Sequence, residues 1–101
     1  MIQFEDIVEG HGEAVEDGNT VKVSYVGAFP DGKVFDKGSF SFKVGSGQVI
    51  QGFDMMLRGM KLGGKRKATI PPEFGYGERG AGGAIPPNAT LVFEVEVLEI
   101  R

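Results

Sequence analysis

The sequence holds no cysteine and one histidine, so thiolate chemistry is absent and imidazole chemistry would have to rest on a single ring. That ring, His11, sits between Gly10 and Gly12 among acids. An imidazole works as a metal ligand or general base beside a partner, and no second ligand stands at a suitable spacing. It reads as an exposed turn residue. Glu9, Glu13, Glu16 and Asp17 lack the spacing of a calcium loop and read as a solvated edge. The run Gly59-Met60-Lys61-Leu62-Gly63-Gly64-Lys65 matches the start of a phosphate-binding loop. Its next residue is Arg66 instead of Ser or Thr, and it ends a helix where such a loop opens one. Asn88-Ala89-Thr90 accepts a glycan only in a secreted chain. No nucleophile beside a base and no cofactor fingerprint remains, so neither metal nor cofactor is expected. What does remain is a surplus of aromatic rings: Tyr25, Phe35, Phe40, Phe42, Phe53, Phe74, Tyr76 and Phe93. A plain core would absorb most of them, Phe42 included. The alternative is that some line an open apolar pocket, and residue types alone leave both readings open.

The elements that must position those rings follow from periodicity. Val49 to Met60 is the one convincing helix, with Phe53, Met56, Leu57 and Met60 forming an apolar stripe. Asp54 and Arg58, four apart with the acid first, are placed to pair on its other side. Gly63-Gly64 is its expected stop. Ile2 to Val8 reads as a short strand whose alternation slips midway. Thr20 to Phe29 alternates, with Val21, Val23 and Tyr25 inward, and Phe29-Pro30-Asp31-Gly32 makes a type I turn. The chain returns as Val34-Phe35-Asp36, and after a polar break Phe40 to Val44 alternates again. Lys65 to Ile70 and Ala89 to Ile100 are the remaining strands; Lys65, Arg66 and Lys67 are placed to pair with Glu94 and Glu96 across them. Between them the glycine- and proline-rich stretch 71–88 carries Phe74, Tyr76 and Ile85, which suits the wall of a site better than disorder. The fold class expected is α+β, a curved antiparallel sheet wrapped around one short helix.

Composition narrows the setting. With 101 residues, 41% hydrophobic and 25% charged, the chain is expected to be one soluble domain spanning 1–101. A net charge of -3 argues against nucleic acid or an anionic membrane as partner. The first residues show neither the basic nor the apolar region of a signal peptide, and a cytoplasmic monomer is the expectation.

Read together, Val34-Phe35-Asp36, Gly45 to Phe53, Gly59-Met60, Phe74-Gly75-Tyr76-Gly77 and Ile85 to Phe93 resemble the FKBP-type peptidyl-prolyl isomerases in order and spacing. The resemblance covers nearly the whole chain and implies the family's half-barrel around a short helix, without a chaperone insert. It also implies roles by position. Phe53 is the pocket floor; Tyr25, Phe40, Val49, Ile50 and Phe93 are its walls; Phe35 and Asp36 form one rim and Ile85 another. The Ile50 N–H and the Tyr76 hydroxyl donate to substrate carbonyls. Tyr25, Asp36, Ile50 and Tyr76 are the catalytic set, and the partners implied are proline-containing polypeptides and macrolides of the rapamycin type.

Three features depart from the family pattern. Phe53 stands where the best-known members have tryptophan. The segment between Asp36 and Phe40 is shorter and lacks the arginine that pairs with the aspartate in many relatives. Ala81 and Ala84 occupy a loop tip that is often bulkier. The implied function is isomerisation of Xaa-Pro bonds. The alternative is a non-catalytic module using the same pocket to hold proline peptides or macrolides.

Overall fold

Strands alternate buried and exposed side chains wherever one sheet face is covered, and this chain does so along β2 (Thr20–Ala28) and β5 (Leu91–Ile100). In the computed structural model, which describes residues 2–101, Val21 and Val23 of β2 and Leu91, Phe93, Val95 and Val97 of β5 are buried. These strands are joined by β1 (Gln3–Val8), β3 (Val34–Lys43) and β4 (Lys65–Ile70) in one antiparallel sheet of order β1-β4-β5-β2-β3. The strand made last is therefore central. The inner face packs on helix α1 (Gln51–Leu57), whose Phe53, Met56 and Leu57 are buried as the stripe requires. Between β4 and β5 lies a single 3-10 turn at Pro72–Phe74.

Bulges adjust which side chains face inward. Pairing of β1 with β4 shifts between Asp6 and Val8, leaving Ile7 as the extra residue, and this is the slip visible in the alternation of Ile2 to Val8. Pairing of β2 with β3 shifts where Gly27 opposes Asp36 but Ala28 opposes Val34, so Phe35 is extra there. β3 is also continuous, where a polar break was expected. Lys37, Gly38 and Ser39 stay paired with Val26, Tyr25 and Ser24 because an edge strand needs only backbone partners.

The helix is shorter than its apolar periodicity. Arg58 is already extended and Gly59 has φ +83°, so the stop is Gly59 and not Gly63-Gly64. Met60 stays in the core on the segment after the helix. Arg66 takes over the freed carbonyls: its Nη1 donates to Met56 O at 2.9 Å and to Arg58 O at 3.0 Å. The same buried guanidinium bonds Asp6 through Nε at 2.6 Å and lies 4.1 Å above the Phe4 ring. Of the expected cross-strand pairs, Lys65 and Lys67 do oppose Glu96 and Glu94, whereas Arg66 turns inward to cap the helix. Asp54 and Arg58 do not pair either. Asp54 is buried and accepts the Gly45 N–H at 3.0 Å, while Arg58 Nε donates to Asp17 at 2.7 Å.

Candidate active site

A cleft of about 300 Å³ opens between the inner face of the sheet, the start of α1 and the loop after β4. Its floor is Phe53, in the first turn of α1 and only 3% exposed. The rings of Tyr25, Phe40, Phe42 and Phe93 surround it with centroids 5.4–6.0 Å away, three of the four in edge-to-face arrangement. Tyr25, Phe40, Val49, Ile50 and Phe93 line the sides. Phe42 packs behind the floor in the core, as expected of it.

The bulge in β3 builds the rim. With Phe35 as the extra residue, Phe35 and Asp36 both reach the cleft, though adjacent strand residues normally point to opposite faces. Phe35 packs edge-on against Phe93 at 5.7 Å and beside Phe29 at 5.0 Å. Room for this pair comes from Gly27. A Cβ there would stand 2.7 Å from Phe93 Cε1 and 2.8 Å from Phe35 Cζ.

Asp36 is held by its neighbour across the strand pair. The Tyr25 hydroxyl donates to Asp36 Oδ2 at 2.8 Å. Burial, and then the bond to the Asp36 carboxylate, push the Tyr25 phenol up to about 12 from 10.0. The phenol is thus neutral at any physiological pH and orients the carboxylate without an arginine.

Ile50 is the N-cap residue of α1, with φ -57° and ψ 149°. Its carbonyl accepts the Phe53 and Asp54 N–H groups, at 3.0 and 3.3 Å. Its own N–H has no partner among the described residues and borders the cleft, one of the free donors that every helix start leaves. Tyr76 lines the cleft from the loop, 39% exposed. That loop is folded by Gly77 N–H on Pro72 O and Asn88 N–H on Gly77 O, both 2.9 Å.

Ile85, expected on the rim, is 4% exposed and packed in the core beside the cleft residues that surround Phe53. The loop tip closes on itself through Ala81 N–H to Ile85 O at 2.9 Å and Ile85 N–H to Ala81 O at 3.1 Å. Gln48, which no side-chain role singled out, lines the cleft. Gly27 was also missed, since a glycine inside an alternating strand signals close approach only once its neighbours are known.

The assembled site is an apolar slot with a few polar groups at its edge. The family model of the FKBP-type peptidyl-prolyl cis-trans isomerases matches residues 11–98. The chain belongs to this family. This FKBP-type chain is 50% identical over 102 residues to the FK506-binding protein of Neisseria meningitidis serogroup A, covering 96% of this chain and 94% of that one. Among solved structures, AtFKBP13 superposes with a TM-score of 0.91 at 38% identity, covering 99% of this chain and 93% of the other. A peptidyl-prolyl cis-trans isomerase from Pseudomonas syringae pv. tomato superposes with a TM-score of 0.88 at 37% identity, covering 98% and 74%. The half-barrel is the fold these FKBP proteins share, and the chain is an FKBP-type isomerase of Xaa-Pro peptide bonds.

Proposed function

We propose that the cleft takes the prolyl ring of a polypeptide against Phe53 and rotates the preceding amide by desolvating it. A peptide bond resists rotation by about 18–20 kcal/mol because resonance gives C–N partial double-bond character. The two Xaa-Pro isomers lie close in energy, so the catalyst supplies no free energy and only lowers the barrier. In the twisted transition state the resonance is lost and the carbonyl becomes less dipolar. An apolar slot solvates the planar, dipolar amide poorly and the twisted one comparatively well. Removing about 5–7 kcal/mol from the barrier corresponds to a ~10⁴–10⁵-fold acceleration.

The observation that carries this reading is the enclosure of the Phe53 floor by the rings of Tyr25, Phe40 and Phe93. The Ile50 N–H and the Tyr76 hydroxyl grip substrate carbonyls on either side of the ring. Asp36, fixed by Tyr25, faces the amide as it loses its dipole. Macrolides of the rapamycin type fit the same slot by presenting a proline-like ring and adjacent carbonyls.

The test is refolding of a protein limited by proline isomerisation. Substoichiometric enzyme is expected to accelerate the slow phase, and a rapamycin-type macrolide to abolish the effect. A slow phase unchanged at equimolar protein would sink the proposal.

A further inference from the structure

The hydrogen-bond donor at Ile50 stands at the end of a stretch with little backbone support. Between Gly47 and Ile50 the only backbone group bonded to the rest of the chain, among the described residues, is the Ile50 carbonyl. Ile50 caps the helix without any side-chain cap, so the helix start is not fixed by its own residue. Two glycines in the same turn, Gly45 and Gly47, have φ of +81° and +79°. A segment of this kind has many conformations open to it unless something outside its backbone selects one.

Side chains make that selection. At the near end, Asp54 Oδ1 accepts the Gly45 N–H at 3.0 Å, and the Ser46 hydroxyl donates to Lys43 O at 2.6 Å. At the far end there is one bond. Gln48 Oε1 accepts the Lys43 N–H at 3.0 Å, across the base of the turn. Lys43 ends β3, whose pairing with Thr20 makes it a fixed point of the sheet. Gln48 lies two residues before Ile50, in the wall of the cleft.

We propose that Gln48 is a positioning residue: its side-chain amide ties the turn to the end of β3 and thereby sets where the Ile50 N–H stands in the cleft. The role belongs to the amide oxygen, because the partner is an N–H and needs an acceptor. It rests on the reading of Ile50 as a substrate donor. A donor displaced by a few tenths of an ångström weakens its hold on substrate in the planar and twisted states alike. The loss therefore falls on KM and leaves kcat near its original value.

The acceptor is tested by changing it alone. Gln48→Met keeps length and removes the oxygen; Gln48→Glu keeps an oxygen in the same place. Each variant is measured for kcat and KM on a proline peptide. Each is also measured for thermal midpoint and for the backbone amide resonance of Ile50, using uniformly labelled protein. Gln48→Met is expected to raise KM by about two- to tenfold, the weight of one hydrogen bond. Its Ile50 resonance shifts or broadens, with little change in midpoint, since the Lys43 N–H is exposed and water replaces the lost acceptor. Gln48→Glu is expected to return both KM and the resonance toward wild type at neutral pH. An Ile50 resonance unmoved in Gln48→Met overturns the tie itself. A Gln48→Glu variant as impaired as Gln48→Met shows that the acceptor is not the active feature, which overturns it equally. A displaced resonance with unchanged KM overturns it through the reading of Ile50 as a substrate donor.

Discussion

Asp36 carries a carboxylate into an otherwise apolar rim with a phenol as its partner, and the chemistry there is sensitive to single atoms. Asp36→Ala is expected to lower kcat/KM several-fold with the fold intact, and equal turnover in variant and wild type would remove Asp36 from the site. Tyr76→Phe is expected to lose less, because one neutral hydrogen bond contributes about 0.5–1.5 kcal/mol net. The phenol of Tyr25 has its own signature. Its pKa is raised in the folded protein, to about 12 against 10.0, so the stability it contributes is fully present below pH 10 and is lost as pH rises toward 12. Subtracting the ultraviolet titration of Tyr25→Phe from that of wild type isolates this phenol. A difference curve centred near 10 would contradict the bond to Asp36. At the floor, Phe53→Trp places an additional ring where the cleft is open. The expected gain in macrolide affinity is at most about 1 kcal/mol, from a few tens of Å² at ~25 cal/mol per Å². Crowding against the four rings that already surround Phe53 opposes it. With no other tryptophan in the chain, its emission reports on the site alone, and an indole that ignores saturating macrolide would place Phe53 outside the pocket.

Strands and helix were legible where burial repeats with a fixed period, as in β2, β5 and the stripe Phe53, Met56, Leu57. What escaped was decided by contacts distant in sequence. The bulge that turns Phe35 and Asp36 to the same side depends on the register against Gly27, and no local pattern encodes a register. The early stop of α1 depends on Arg66, which comes from β4 and looked like one more base opposite glutamates. The cleft walls came from the resemblance to the family, while Gln48 and Gly27 had no type-based signal and Ile85 packs in the core. Two substitutions probe these joints. Arg66→Met strands two helix-end carbonyls and frees Asp6, and an expected cost of about 2 kcal/mol lowers the thermal midpoint by roughly 10 °C. A midpoint within a degree or two of wild type would show that water satisfies those carbonyls equally well. Gly27→Ala forces the new methyl against Phe35 and Phe93. Overpacking of this kind costs about 1–3 kcal/mol and narrows the cleft, so turnover and macrolide binding are expected to fall together. Turnover at the wild-type level would mean that the two rings move aside freely.

Across the whole molecule the sheet order sets the terms. β5 lies between β4 and β2, so the two halves of the sheet, β1 with β4 and β2 with β3, meet only through it. Strands β2 and β3, the turn leading into α1 and the helix itself supply most of the cleft, Tyr76 comes from the loop after β4, and Phe93 of β5 closes it. A fragment of residues 1–90 is expected to show no cooperative thermal transition and no macrolide binding, and a cooperative transition in that fragment would show that β5 is dispensable. On a ribosome this topology has a temporal meaning. The pocket-forming hairpin and helix emerge before β4 and β5, and β2 with β3 has no link to β1 with β4 until β5 has cleared the exit tunnel. Completion of the sheet during synthesis therefore waits on β5. For as long as translation of the domain lasts its strands lack their central partner, and the cleft is complete only once Phe93 of β5 is in place.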